Sequence, residues 1–539
     1  MTDSDDQHVF WADAVADRVE SRQPTEPIVI KGGISPSGVP HLGNANEIVL
    51  GSFVAEVLRE RGYEVRQVFT ADDRDPLRKL PRKLANLDGE LVDLGDVDAG
   101  ALGRNLGKPY TAIPDPFGCC ASYGAHFTAL IADIATDLSI PIEVISTSEL
   151  YESGAFDTAI RTVLEHREQA TDILSGYQDK VDTAYIPYKV HCQSCGKETN
   201  TIDAIDLASE TITYRCTDIE AGNQTIAGCG HEGEAALRDG KLPWRFEWVA
   251  QWAHLGVDFE PFGKDHAEGS WPSGVHIAED IFSIDPPTPM TYEWFTLEGQ
   301  PFSSSEGHVV MVSDLLELLE PEVLLSFFAR DPTRGRDLSI ERLDQLVDRF
   351  DRLEAIALSR EEADPDETAR AERVYPFLID EVRPERTRIP YRFAAVLGMT
   401  DDPDLQEAIA RKEGHLPPGT PDWAVERAME RVERAHRWAR RTDNEYNYTL
   451  HRTSMPAVDL TPELEAALDD VAAVVESGAD GERIQEEIFT AARRHDMSPG
   501  DVFTAGYRLF LDRDAGPKLG PFLATLDADF VADRLRRRA

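Results

Sequence analysis

The sequence predicts an α/β doubly wound, Rossmann-like domain that carries a small metal-binding insert and is followed by an all-α region. Three observations lead there. Residues 27–73 run strand, glycine turn, helix, strand; four cysteines crowd into residues 192–229; and from about 313 the pattern is almost wholly helical, broken at Pro and Gly. The chain has 539 residues, room for about three or four domains at roughly 100–200 residues each. Its apolar fraction of 41% is ample for real cores and excludes a wholly disordered chain. No apolar run approaches the roughly 18 residues of a membrane span, so no membrane partner is expected. The start, MTDSDDQHVF, is acidic where a signal peptide is basic and then apolar, so a cytoplasmic location is expected.

Residues 1–26 read as an amphipathic helical lead-in. PIVIKGG (27–33) is a short apolar run ending in two glycines, a strand entering a tight turn. HLGNANEIVLGSFVAEVLRERG then has apolar residues at helical spacing and stops at Gly62. EVRQVFTADD (64–73) is the next strand, ending in carboxylates. This order opens a doubly wound nucleotide-binding fold. Residues 76–126 show no clear periodic element, and a loop-rich segment of that length is usually functional. PIEVIST (141–147) and MTYEWFTL (290–297) read as further strands. The expected domains are therefore 1–26, an α/β domain over 27–312 with an insert at 186–234, and a helical region over 313–539.

Charge is extreme. Lys plus Arg is 55 and Asp plus Glu is 99, a net charge of −44, with only 11 lysines among the cations. Carboxylates spread along the whole chain with few lysines read as adaptation to a salty cell interior, where screening is short-ranged and an acidic surface keeps a protein in solution. Net charge then stops arguing against an RNA partner, although phosphate contacts still need local cations. An acidic regulatory protein is the plainer alternative.

Five segments carry candidate chemistry. SPSGVPHLGN (35–44) places a Gly/Ser/Pro turn between strand and helix, where backbone N–H groups and the helix dipole favour anions. His41 and Asn44 lie three apart and can both donate to phosphate oxygens; alone, His41 would read as an ordinary helix-start histidine. In TADDRDPLRKLP (70–81), Asp72 and Asp73 follow a strand end, where ligands of open α/β sheets bind. Paired carboxylates there suit an ammonium group; a helix cap or ion pairs with Arg74 and Arg78 is the structural alternative. Cys192, Cys195, Cys216 and Cys229, with His231 as a possible substitute, have the spacing of a closed tetrahedral Zn²⁺ site. In 244–271, Trp244, Trp248 and Trp252 recur every fourth residue, and Gly263-Lys264-Asp265-His266 follows a strand-like VDFEPF. An Asp at such a strand end can hold ribose hydroxyls, and a neighbouring His can reach a substrate. Finally, GQPFSSSEGHVV (299–310) has three serines between strand and helix, either a mobile phosphate-contacting loop or a linker.

In this order the segments resemble a class I aminoacyl-tRNA synthetase, and most closely the class I lysyl-tRNA synthetase family of archaea and some bacteria. His41-Leu42-Gly43-Asn44 resembles that family's HIGH motif, with Asn in the last place. The segments DDRDPLRKLP, IPDPFG, WRFEW and EPFGKDH look like its signatures, and SSSEG (303–307) stands at the KMSKS loop. The resemblance covers roughly 27–350 strongly. It implies a HIGH-type catalytic domain, a C-terminal helical anticodon-binding domain, and a reaction in which ATP with Mg²⁺ activates L-lysine before transfer to tRNA(Lys), with no DNA partner. It further implies that His41, Asn44, Ser303, Ser304 and Ser305 act on phosphate. Gly33 and Ser35 would line the amino-acid site, and Glu47, Asp72 and Asp73 would face its ammonium groups. Trp248 would pack along its methylenes, Asp265 would take ribose and His266 the amino acid. Two departures stand out. Pro301 and Glu306 sit where the KMSKS loop has lysines, and Lys31 sits where glutamyl-tRNA synthetases place an arginine that reads their substrate's carboxylate. A glutamyl-tRNA synthetase-like ligase, a non-catalytic tRNA-binding paralogue and a small-molecule nucleotidyltransferase are therefore the alternatives.

Overall fold

The computed structural model describes residues 8–178, 181, 185–222, 224–302 and 309–538. The catalytic segment is built on a five-stranded parallel sheet: β1 (Ile28–Ile34), β2 (Val65–Ala71), β3 (Glu143–Ser146), β4 (Val257–Gly263) and β5 (Thr288–Tyr292), in the order β5-β4-β1-β2-β3. β1 and β2 pair in unbroken register from Ile28↔Val65 to Ile34↔Ala71. The chain leaves β1 toward β2 on one side and later returns to β4 on the other. That reversal opens a crevice at the carboxyl ends of β1, β2 and β4, the expected binding place of a doubly wound sheet.

Local sequence explains the pieces that frame the crevice. β1 is buried through Gly32, Lys31 included, before it becomes half-buried. Gly33 is required there because a Cβ would collide with the Thr70 hydroxyl and lie 3.2 Å from Lys31 Nζ. The helix Asn46–Glu60 buries Ile48, Val49, Leu50, Phe53, Val54 and Val57, and it ends at Gly62, whose φ of +98° suits a residue without Cβ. The helix Trp244–Leu255 stops the same way at Gly256, φ +65°. The lead-in folds as the helix Trp11–Glu20.

The insert is a set of short antiparallel ribbons, with strands Lys189–His191, Glu198–Thr199, Thr201–Asp206, Thr211–Arg215 and Glu232–Ala236. Its buried Val190, Cys192, Ile212 and Tyr214 join the same apolar cluster as Phe156, Phe246, Val249 and Trp252. A segment too small for a private core thus borrows the core of its host.

Three expectations are corrected. Residues 76–126, read as showing no clear periodic element, hold the short hairpin Lys83–Ala85/Leu91–Asp93 and the helix Ala99–Arg104. The run 290–297 is not one strand. β5 ends at Tyr292, and Phe295–Leu297 pairs in another sheet with Arg336–Leu338, which also interrupts the helical region. Glu293 and Trp294 form the bend between the two strands, and Trp294 is exposed.

The chain divides into two compact units, one of Met1–Leu316, Pro321–Ser339 and Leu353–Glu381, the other of Glu317–Glu320, Ile340–Arg352 and Val382–Ala539. The second is helical, with a core that includes Leu468, Val471, Ile488, Leu509, Phe510 and Leu523. Its buried Arg431 donates to Glu320 at 2.5 Å and to both carboxylate oxygens of Asp351 at 2.6 and 2.8 Å. No helix among the described residues is long and apolar enough to cross a membrane.

Candidate active site

His41 precedes a short 3₁₀ turn, Leu42–Ala45, that leads into the helix Asn46–Glu60. Its backbone N–H donates to Asn44 Oδ1 at 2.9 Å, and the Asn44 N–H donates back to the His41 carbonyl at 2.8 Å. The two predicted phosphate ligands therefore fix each other. The His41 ring lies parallel to Phe302, centroids 5.1 Å apart. Burial holds its pKa down to about 4, so at neutral pH it is an uncharged donor. Ser303, Ser304 and Ser305 lie outside the described residues.

On one side of this turn is a cavity of about 320 Å³. Gly33, Ser35, Glu47, Asp72, Trp248 and His266, all predicted, line it. So do three carboxylates the sequence reading did not single out: Asp75, Glu247 and Glu260. Against the five acids stand two buried lysines. Lys31 donates to Glu260 at 2.7 Å, and Glu260 also accepts from the indoles of Trp248 and Trp252 at 2.9 and 2.5 Å. Lys241 reaches Asp75 at 2.5 Å and Glu247 at 3.2 Å, while Tyr151 donates to Glu247 at 2.6 Å. Glu47 accepts from Tyr292, and Gln251 donates to Asp72 at 3.0 Å.

Crowded buried carboxylates hold protons. Burial, with Glu260 nearby, pushes Glu47 up to about 8; burial, with Glu247 and Asp75 nearby, pushes Asp72 up to about 7. Burial also acts against the charge of Asp75, but Lys241 outweighs it and its carboxyl stays below the ordinary range. The cavity is short of positive charge, which a cationic guest would supply.

Asp73 does not take part, and the expectation that it faces the substrate is corrected. Its carboxylate accepts from Ser146 Oγ at 2.6 Å, Thr147 Oγ1 at 3.3 Å and the Ser148 N–H at 2.9 Å. It fastens the end of β2 to the end of β3 and to the start of the helix Thr147–Glu152. Trp248 and the exposed Trp244 both line the cavity, and Trp252 is buried in the core.

A second cavity, of about 390 Å³, lies between His41, Asn44 and Phe302 on one side and Gly263, Asp265 and Trp294 on the other. Asp265 opens onto this cavity while its neighbour His266 opens onto the acidic one. Lys264 pairs with Glu293 at 2.7 Å, not with Asp265. A third cavity, of about 410 Å³, lies across the turn and contains Arg78, Lys79 and Lys83.

Two groups of side chains have metal-ligand geometry. Cys192, Cys195, Cys216 and Cys229 place their sulfurs within 4.8 Å of one another. Cys192 and Cys229 are 3.7 Å apart, and Cys195 and Cys216 3.6 Å. Four thiolates around Zn²⁺ at about 2.3 Å stand about 3.8 Å apart, so the set fits. The other group, Asp115, Cys119, Cys120 and His126, escaped the sequence reading, which left the Cys119-Cys120 doublet unassigned. His126 Nδ1 lies 3.3 Å from both Cys119 Sγ and Asp115 Oδ1, and Cys119 Sγ is 3.8 Å from Cys120 Sγ. The far ring nitrogen, Nε2, is 2.9 Å from the Ala85 carbonyl. A donor hydrogen there leaves Nδ1 free to ligate, the usual arrangement behind a metal-bound histidine. The available signal was the doublet with an Asp four residues before it and a His six after.

Comparison with known proteins agrees with this geometry. Residues 9–378 match the family model of tRNA synthetases class I (K). The chain is 61% identical over 531 residues to the lysine–tRNA ligase of Halobacterium salinarum, covering 98% of this chain and 97% of that protein. It is 59% identical over 528 residues to that of Haloarcula marismortui, with the same coverage. It is 32% identical over 551 residues to that of Pyrococcus horikoshii, covering 98% and 99%. With the nucleotide-binding sheet, the His41–Asn44 turn and this match over most of its length, the chain belongs to the class I tRNA synthetases (K).

Proposed function

We propose that this chain is a lysine–tRNA ligase: it activates L-lysine with ATP to lysyl-adenylate, releasing pyrophosphate, and passes the lysyl group to the 3′ end of tRNA(Lys). The observation that carries the reading is the acidic cavity, where five carboxylates face two lysines already paired with them. A substrate with two ammonium groups supplies the missing charge. Glutamate would bring a further carboxylate, and the cation it needs, Lys31, is held by Glu260. A non-catalytic paralogue has no reason to keep the His41–Asn44 turn and a built amino-acid cavity beside it.

In this reading lysine lies in the acidic cavity, with its methylenes along Trp248 and His266 at the wall. ATP, as its Mg²⁺ complex, places its adenosine in the aromatic cavity, with Asp265 at the ribose and its phosphates toward His41 and Asn44. The lysine carboxylate oxygen attacks the α-phosphorus, and the bond to the bridging oxygen breaks as pyrophosphate leaves. The protein contributes position and charge stabilisation rather than covalent chemistry. Neutral His41 donates a hydrogen bond without attracting a competing anion. A hydroxyl of the terminal tRNA ribose, the 2′-OH in class I fashion, then attacks the lysyl carbonyl and AMP leaves.

The four insert cysteines would hold one structural Zn²⁺, and Asp115, Cys119, Cys120 and His126 a second. Such metals hold small segments together. ATP–pyrophosphate exchange with each amino acid, with and without tRNA, tests the reading: lysine-dependent exchange is expected, and glutamate-dependent exchange overturns it.

A further inference from the structure

The two lysines paired with the acidic cavity have different origins. Lys31 belongs to β1, whereas Lys241 lies on the short strand Gly240–Lys241 by which the chain leaves the insert. Lys241 is 2% exposed and stands behind two residues of the cavity wall, Asp75 and Glu247. Asp75 also accepts from the Ser35 hydroxyl, and Glu247 from the Tyr151 hydroxyl. A buried ammonium that bridges two carboxylates fixes both, since either one left alone would lose its charge or its place.

That ammonium is placed by backbone contacts with the metal-binding insert. Gly240 and Lys241 pair with Val190 and Lys189, and the His191 N–H donates to the Asp239 carbonyl at 2.8 Å. The fit is close: a Cβ on Gly240 would collide with the Lys189 carbonyl and the Tyr188 hydroxyl. The next residue, Cys192, begins the turn that carries Cys195, closed by the Gly196 N–H on the Cys192 carbonyl at 2.7 Å. On the other side, Arg74 donates to the carbonyls of Arg238 and Gly240 at 2.6 and 3.0 Å. The Leu242 N–H donates at 2.8 Å to the hydroxyl of Tyr151, the same side chain that holds Glu247. The strand Lys189–His191 has three residues and its partners two each. Ladders so short are marginal alone. The anchor at their end, Cys192 in the four-thiolate set, therefore decides how firmly they stand.

We propose that Zn²⁺ in the insert and lysine in the acidic cavity are thermodynamically coupled, with Lys241 as the positioning residue between them. With the four cysteines ligated, Lys189–His191 is held at its end. That strand holds Lys241, and Lys241 holds Asp75 and Glu247 in the arrangement that receives ammonium groups. The proposal rests on the ligase reading above and on the fit of the four sulfurs to Zn²⁺. It adds a dependence between two sites that have no residue in common. Such coupling is reciprocal: lysine must tighten the insert's hold on its metal by the same factor by which the metal tightens lysine.

The test is a double-mutant cycle on the full chain. Cys195→Ser removes a metal ligand, and Lys241→Met removes the ammonium while keeping the stem. Lysine and ATP affinities of the native enzyme, both variants and the double variant are measured by calorimetry, and Zn²⁺ by metal analysis. ATP affinity is expected to hold, which shows that each protein is folded. Each single variant is expected to bind lysine about fivefold or more weakly, and the double variant no more weakly than Lys241→Met alone. In reverse, competition with a chelator measures the affinity for the Zn²⁺ that Cys195→Ser lacks. Saturating lysine is expected to raise that affinity about fivefold or more in the native enzyme, and not in Lys241→Met. The native half of this measurement needs no variant to fold, so it decides the matter if one does not. Losses of lysine affinity that simply add, a native insert without Zn²⁺, or a native Zn²⁺ affinity indifferent to lysine overturns the proposal. A native enzyme that binds no lysine overturns the ligase reading instead.

Discussion

Lys31 Nζ lies 2.7 Å from Glu260 Oε1, with the two side chains only 2% and 4% exposed. The lysine at the position where a carboxylate-reading cation is expected is thus neutralised inside the protein. Its partner comes from β4, 229 residues further along the chain.

Glu260→Gln breaks that relationship and leaves a buried cation unpaired. Loss of a charge-assisted hydrogen bond typically costs about 1.5–3 kcal/mol. Lysine-dependent exchange is expected to fall by roughly ten- to a hundredfold in kcat/KM. Steady-state exchange kinetics check this, and a native rate would remove Glu260 from the lysine site.

Asp72→Asn and Asp73→Asn are expected to part company. The first removes a carboxylate on the cavity wall and raises the KM for lysine by about ten- to a hundredfold. The second weakens the tie between β2 and the Ser146–Ser148 segment, lowering the melting temperature while leaving the KM for lysine within about threefold of native, under about 1 kcal/mol. Thermal melts and lysine titrations of both variants decide it.

Lysine binding is expected to release protons. Asp72 and Glu47 are held up to about 7 and about 8, and each pairs with an ammonium only after losing its proton. Lysine affinity should therefore rise from pH 6 to 8 and level off above. In the free enzyme the folded chain keeps protons that the unfolded chain gives up near pH 4. Stability should thus decline as pH climbs from about 4 and level off once pH passes about 7 for Asp72 and about 8 for Glu47, and saturating lysine should flatten the upper part of that decline. Calorimetry in buffers of different ionisation enthalpy measures the release; a pH-independent affinity refutes it.

Metal analysis is expected to give two zinc ions per chain, one for each ligand set. Cys120→Ser should lose one and Cys195→Ser the other. A native metal content in Cys120→Ser would show that the Asp115–His126 group is only a hydrogen-bonded cluster.

Arg431→Ala is expected to destabilise the helical unit by about 3–5 kcal/mol, the usual cost of stranding buried charges. Asp351 loses the guanidinium that holds it, and Glu320 is left with Arg388 at 3.3 Å. Arg431 and Arg388 overcome burial to hold Glu320 down to about 2. Its contribution to stability is therefore present above pH ~4 and lost as pH falls toward 2. Urea unfolding followed at pH 7 and pH 3 measures both effects.

The glycine turn, the helix behind it and the cysteine spacing were legible because each is a local pattern with a local physical cause. The choice between Asp72 and Asp73 was not. Adjacent residues past a strand end diverge, and what takes the Asp73 carboxylate lies more than seventy residues away. Glu247 and Glu260 stood inside quoted motifs but looked like incidental acids among aromatics. Only folding brings them to Lys241 and Lys31. The break in 290–297 was hidden because an apolar, aromatic run reads as one strand whether or not it bends at Glu293.

The strand that leaves the insert, Gly240–Lys241, pairs with Lys189–His191, the strand that delivers Cys192. Its buried lysine then meets Asp75 and Glu247, two carboxylates that line the acidic cavity. The ribbon module therefore cannot be exchanged as a cassette. A chimera that grafts another protein's insert at 186–234 keeps Lys241 in sequence but puts a foreign strand beneath it. Its selectivity for lysine then depends on how well that seam is matched, as much as on any residue that faces the substrate.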